Sequence, residues 1–74
     1  MNEHVVIDPT ICHGQPCIKG TRILVSNLLN LLAHGADMEE VLRGYPQLTR
    51  ADVLAALEYA EALVRDEEVR PAFA

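Results

Sequence analysis

The chain has 74 residues, enough for one domain, and its eleven acids against six Lys and Arg set a formal net charge of −5, which argues against a strong non-specific nucleic-acid binder. There is no Trp, one Phe and two Tyr, so the interior must be built from Leu, Val, Ile and Ala. No apolar run approaches the roughly 18 residues a membrane helix needs, and a core this small calls for a staple: a disulfide, a metal or a second subunit.

Met1-Asn2-Glu3-His4 lacks the basic start and apolar core of a secretion signal, so a cytoplasmic protein is expected. Val5-Val6-Ile7 is a short β-branched run that Asp8-Pro9 stops. Thr10 to His13 reads as a second short extended piece, and Gly14 to Pro16 as a turn. Ile18 and Thr21-Arg22-Ile23 flank Gly20, which marks a bulge or tight bend. The N-terminal third is therefore two or three short strands that must lie on helices or pair with another chain.

The first helix is expected from Val25–Ser26 to His34–Gly35, capped by Ser26 or Asn27 and ended by a left-handed Gly35. Leu24, Val25, Leu28, Leu29, Leu31 and Leu32 cover more than one stripe of it. So broad an apolar arc fits either a subunit contact or a helix central to its own monomer. Asp37-Met38-Glu39-Glu40 is a capping box opening a short second helix that ends at Gly44, with Met38, Val41 and Leu42 inward. Pro46 holds Tyr45 away from helical dihedrals. Thr49-Arg50-Ala51-Asp52 opens a third helix to about Arg65 or Glu68, with Val53, Leu57, Ala60 and Val64 as its buried stripe, widened by Leu54 and Leu63. Residues 1–68 thus form one domain (1–24 strands and turn, 25–68 helices) and 69–74 a tail, in which Phe73 is an aromatic able to dock.

Charge is unevenly placed. Residues 1–35 balance, whereas 36–74 hold nine acids against four arginines. An acidic helical surface of this kind suits a basic protein partner. Lys19 and Arg22, beside glycines, and Arg43 and Arg50, around the second link, are the candidate phosphate contacts, each with the alternative of a solvated side chain. Arg22 could equally pair with Asp8. Glu58 and Glu61 on the third helix repel phosphate.

Cys12 and Cys17 could join His13 and His4 around zinc, or be two small hydrophobes in a reducing interior. Cys12 and His13 are neighbours in an extended segment and so point to opposite faces, and no acid orients His13. The acids near Asp8 and on the third helix have no specific metal-nuclease spacing. No catalytic residue, cofactor or metal ligand is assigned, and an enzyme is not expected.

The second helix, its link and the third helix have helix-turn-helix proportions. Ile7-Asp8-Pro9, the run Cys12-His13-Gly14-Gln15-Pro16-Cys17-Ile18-Lys19-Gly20-Thr21-Arg22-Ile23, and Leu48-Thr49 with Asp52, Val53, Ala56, Leu57, Tyr59 and Ala60 resemble the small prokaryotic domain-of-unknown-function family numbered 433, described as similar to VapB-type antitoxins. The resemblance spans roughly residues 4–64, and Gly-x-Pro-x-Ile-x-Gly-Thr-Arg is its most specific part. It implies a mainly α, homeodomain-like three-helix bundle preceded by a short β-segment. It also implies an antitoxin, a homodimer that holds a PIN-like ribonuclease toxin inactive and binds operator DNA, the net charge making that DNA contact weak. Val5, Ile7, Leu28, Leu29 and Leu32 are the candidate dimer contacts. Two other readings are a stand-alone DNA-binding regulator and a ligand-free dimerisation module.

Overall fold

A computed structural model describes residues 2–66. The expected tail 69–74, its Phe73 and the alternative helix end at Glu68 lie outside the described residues. Two strands, β1 (Val5–Val6) and β2 (Cys17–Ile18), precede three helices, α1 (Val25–Ala33), α2 (Met38–Gly44) and α3 (Arg50–Asp66). This is the mainly α bundle with a short β-segment that the sequence implies.

The strands pair antiparallel within one chain, Val5 opposite Ile18 and Val6 opposite Cys17. Cys17 also bridges Leu24, and Ile18 donates its amide to Ile23 O at 3.0 Å while Lys19 donates to His4 O at 2.8 Å. Two buried residues are thus hydrogen-bonded from both sides, which satisfies backbone groups that burial would otherwise leave unpaired. The expected strand over Thr10–His13 does not form. Asp8 instead bridges Ile11, and the chain then turns through Cys12–Gly14.

The core gathers Ile18, Ile23, Val25, Leu28, Val41, Leu48, Val53 and Ala56. α1 packs on α2 and α3, and β1 lies on α3. Of the two readings of α1, the central helix is the one realised: Leu28 is fully buried and Leu29, Leu31 and Leu32 are half-buried against the same core. Leu28 therefore has no surface to offer a second subunit, and its place among the dimer contacts is corrected.

Helix ends follow local chemistry. Asp37 and Glu40 form the reciprocal capping box at 2.9 Å each way, and Thr49 and Asp52 form the second at 3.2 and 3.0 Å. Gly35 follows α1 at φ +100°. The cap of α1 differs from expectation. Neither Ser26 nor Asn27 caps it; Leu24 precedes the helix with no side-chain cap, and Pro16 O accepts the Val25 amide at 3.0 Å. The turn before β2 supplies the acceptor that a side chain would otherwise provide.

The buried face of α3 agrees with expectation at Val53, which is buried, and at Ala60, which is half-buried, and departs from it elsewhere. Val53, Ala55 and Ala56 are buried, whereas Leu57 and Val64, placed in the stripe, are 39% and 57% exposed, and Leu54 and Leu63 are 43% and 48% exposed. The helix is rotated by roughly a quarter turn from the arrangement that buries its largest side chains. Small residues win because the N-terminal segment crosses α3 closely: Asn2 Nδ2 donates to Ala55 O at 2.6 Å, and His4 Nδ1 donates to Asp52 Oδ1 at 2.8 Å.

Asp52 accepts from the Thr49 amide and from the His4 ring, the first being the stronger cause, and these bonds hold its carboxyl below its ordinary value of 3.8. A lowered carboxyl contributes stability that is complete above the unfolded-state value and is lost as pH falls through the folded one. Asp52→Ala is expected to cost about 1 kcal/mol at pH 7 and to make urea midpoints fall less steeply than wild type below pH 4 or so; parallel acid limbs for the two proteins would contradict this role.

Candidate partner-binding surface

The Gly- and Pro-punctuated run places two features at the surface. The first is a left-handed turn. Cys12, His13 and Gly14 have φ of +53°, +56° and +81° in succession, closed by Gly14 N to Ile11 O at 3.1 Å and Gln15 N to Cys12 O at 3.0 Å. Non-glycine residues pay of the order of 1–3 kcal/mol each for such dihedrals, so the neighbours must hold them. Asp8 Oδ1 accepts from the amide and hydroxyl of Thr10 at 2.8 and 2.7 Å, fixing the approach, and Cys12 Sγ donates to Arg22 O at 3.5 Å. The second feature is the bend at Gly20, where φ is +82° and Thr21 N returns to Ile18 O at 3.0 Å. That is the glycine position of a type II turn.

Asp8 is thus occupied by Thr10 and does not pair with Arg22. Among the described residues Arg65 pairs with Glu61, and His4 hydrogen-bonds Asp52. Lys19 and Arg22 are exposed on the turn after β2, and Arg43 and Arg50 are exposed on either side of the α2–α3 link. Two cations lie at each of two separate parts of the chain, and the outward face of α3 beyond Arg50 presents Leu54, Leu57, Glu58 and Glu61.

The zinc set does not assemble. His4 is turned to Asp52 on α3, and among the described residues no three His, Cys, Asp or Glu side chains cluster. Burial, and then the neighbouring Cys12 sulfur, push the Cys17 thiol above its ordinary value; it donates to Thr21 O at 3.7 Å. A thiol so held stays protonated and is a poor nucleophile or ligand.

The remaining surface is a cleft between α1, α3 and the turn. Pro16, Val25, Leu29, Tyr59, Ala60 and Leu63 line an apolar slot of about 170 Å³. It is smaller than the roughly 300 Å³ at which small-molecule sites begin, a size suited to an inserted side chain. Tyr59 and Leu63 also border an open hollow of about 580 Å³ whose rim carries Glu58, Glu61, Asp66 and Arg65. Arg65 Nη1 is bonded to both Glu61 oxygens at 3.1 and 3.0 Å, so carboxylates dominate the rim. Of the proposed dimer contacts, Leu29 lines this slot, Val5 and Leu32 are half-buried, and Ile7 is 58% exposed.

Residues 5–60 match the family described as a protein of unknown function, DUF433. The chain belongs to the DUF433 family. A crystal structure of a DUF433 member from Anabaena variabilis ATCC 29413 superposes with a TM-score of 0.78 at 38% identity, covering 85% of this chain and 62% of that one. An uncharacterized protein of Sinorhizobium fredii (strain NBRC 101917 / NGR234), y4eO, is 35% identical over 60 residues, which span 81% of this chain and 27% of that protein. The chain therefore spans about a quarter of the Sinorhizobium protein and less than two thirds of the Anabaena one. Among the described residues no helix is long and apolar enough to cross a membrane.

The slot was missed by sequence reasoning because it combines side chains from three elements. Its one sequence signal is Leu63, an apolar residue one turn beyond the part of α3 that the core covers. The left-handed turn was missed because nothing in Cys12-His13 demands positive φ, although His tolerates it better than most residues. His13→Val is expected to destabilise by about 1 kcal/mol or more, and His13→Asn to be nearly neutral. Equal melting midpoints for the two variants would show that this turn is not strained.

Proposed function

We propose that this DUF433 chain is an antitoxin-like module that works by binding rather than catalysis, holding a basic protein partner of the PIN-like ribonuclease class. The observation that carries this reading is the apolar slot bordered by Tyr59 and Leu63 and continued by a carboxylate rim. Its volume takes a side-chain anchor, and the rim favours Lys and Arg flanking that anchor. The resemblance to VapB-type antitoxins supports the identity of the partner, and the net charge of −5 supports its sign.

Co-expression with a PIN-like ribonuclease encoded beside the gene tests it. Wild type is expected to relieve toxicity and to co-purify with the ribonuclease. Leu29→Glu and Leu63→Glu, each at a half-buried or exposed position of the slot, are expected to lose both properties while keeping a wild-type helical circular dichroism spectrum. Relief of toxicity by folded variants would remove the slot as the binding site.

A second reading, operator binding with Lys19, Arg22, Arg43 and Arg50 on phosphate, is favoured by the packing of α2 and α3 around a five-residue link (45–49). The acids on α3 make this contact weak. Titration of promoter DNA at increasing salt is expected to show affinity falling with a log–log slope of about −2 to −4 if these cations neutralise phosphates. A flat salt response would exclude them.

A further inference from the structure

The two cysteines are nucleophilic groups to which the binding surface gives no role. Both are free thiols. Cys12 Sγ donates to Arg22 O at 3.5 Å and Cys17 Sγ to Thr21 O at 3.7 Å, so consecutive carbonyls hold the pair, and the Cys12 sulfur is a direct neighbour of the Cys17 thiol. They differ in access: Cys12 is half-buried and Cys17 is 0% exposed. Cys12 is also held at φ +53°, a strained dihedral of the kind that collects at functional positions. An accessible thiol beside a buried one is the arrangement of an attacking and a resolving cysteine.

We propose that Cys12 and Cys17 form a reversible disulfide by exchange with a low-molecular-weight disulfide, and that this closure resets one wall of the apolar slot. The Cys12 thiolate attacks one sulfur of the small disulfide, forming a mixed disulfide and expelling a small thiolate. The Cys17 thiol then gives its proton to water, and its thiolate attacks Cys12 Sγ. The Cys12–Cys17 bond forms and the second small thiolate leaves. Two protein thiols are oxidised and one disulfide is reduced to two thiols. Burial favours the protonated form of Cys17, which slows the second step, but the attack is intramolecular on a sulfur already adjacent. A capped Cys12 also no longer brings the negative charge that opposes a Cys17 thiolate.

The bond acts on the slot through the loop it closes. A disulfide carries no hydrogen, so Thr21 O and Arg22 O lose their thiol donors, and an S–S length of about 2 Å draws the sulfurs together. Cys17 is fixed between Val6 and Leu24, so the adjustment falls on residues 12–16. That stretch includes Gln15 and Pro16, which line the slot with Tyr59 and Leu63, and the Pro16 carbonyl that receives the first amide of α1. As regulation this rests on the slot being the partner site, but its test uses no ribonuclease, so the two readings fail separately.

Glutathione disulfide is the probe, added to the full chain in its folded state and in urea, with products read by mass spectrometry after acid quenching. Wild type is expected to lose two hydrogens with no lasting glutathione adduct, and to regain them with dithiothreitol. Cys17→Ala is expected to stop at a glutathione adduct on Cys12. Cys12→Ser is expected to react about tenfold or more slower folded than in urea, because its remaining thiol is buried. Methyl resonances of Leu29 and Leu63 are expected to move between reduced and oxidised wild type, and those of Leu54, outside the slot, to stay. Circular dichroism shows that the variants are folded, and the wild-type product decides the pairing without them. A wild type that stays reduced or stops at the mixed disulfide overturns the proposal, as does a folded Cys12→Ser that reacts as fast as wild type. Unmoved Leu29 and Leu63 resonances overturn the effect on the slot.

Discussion

The residues Cys17 and Ile18 are the constraint on which the rest of this fold rests. They are buried and belong to a two-residue strand, so their backbone groups have no long ladder to share. The chain solves this by bringing β1 to one edge and the Ile23–Leu24 segment to the other, with Gly20 permitting the return. Once that local sandwich is closed, Pro16 O lies where it accepts the first amide of α1. The turn then starts the helix without any capping side chain. The position of α1, and through Val25 and Leu28 the position of the core, therefore descends from the punctuated run rather than from helix propensity.

A core of this size leaves helix termini to carry an unusual share of local specification. Asp37–Glu40 and Thr49–Asp52 each satisfy two orphan amides reciprocally. Asp52 does more, because the His4 ring donates to the same carboxylate and ties the N-terminal segment to the start of α3. One side chain thereby links a helix cap to a long-range contact. The loss of either partner leaves the other half-satisfied, which is why a group near the surface has energetic weight here.

Both capping boxes, the glycine end of α1 and the turn at Gly20 were readable from sequence because each depends on residues within a few positions of one another. Long-range choices were not. α3 has apolar side chains on two faces, and period alone ranks Leu57 and Val64 above Ala55 and Ala56. The structure buries the alanines, since Asn2 and β1 approach that side too closely for leucine. The cap of α1 escaped for the same reason: its acceptor is a carbonyl nine residues upstream. The cleft between α1 and α3 escaped because it needs the crossing of the two helices before Leu29, Tyr59 and Leu63 become neighbours.

That rotation of α3 has a functional corollary. By spending its alanines on the core, the helix keeps its leucines for the outside, where a monomer of this composition gains nothing from them. Leu63 extends the slot toward a carboxylate rim, while Leu54 and Leu57 stay exposed outside it. The slot with its acidic border is the surface that the proposed basic partner would cover.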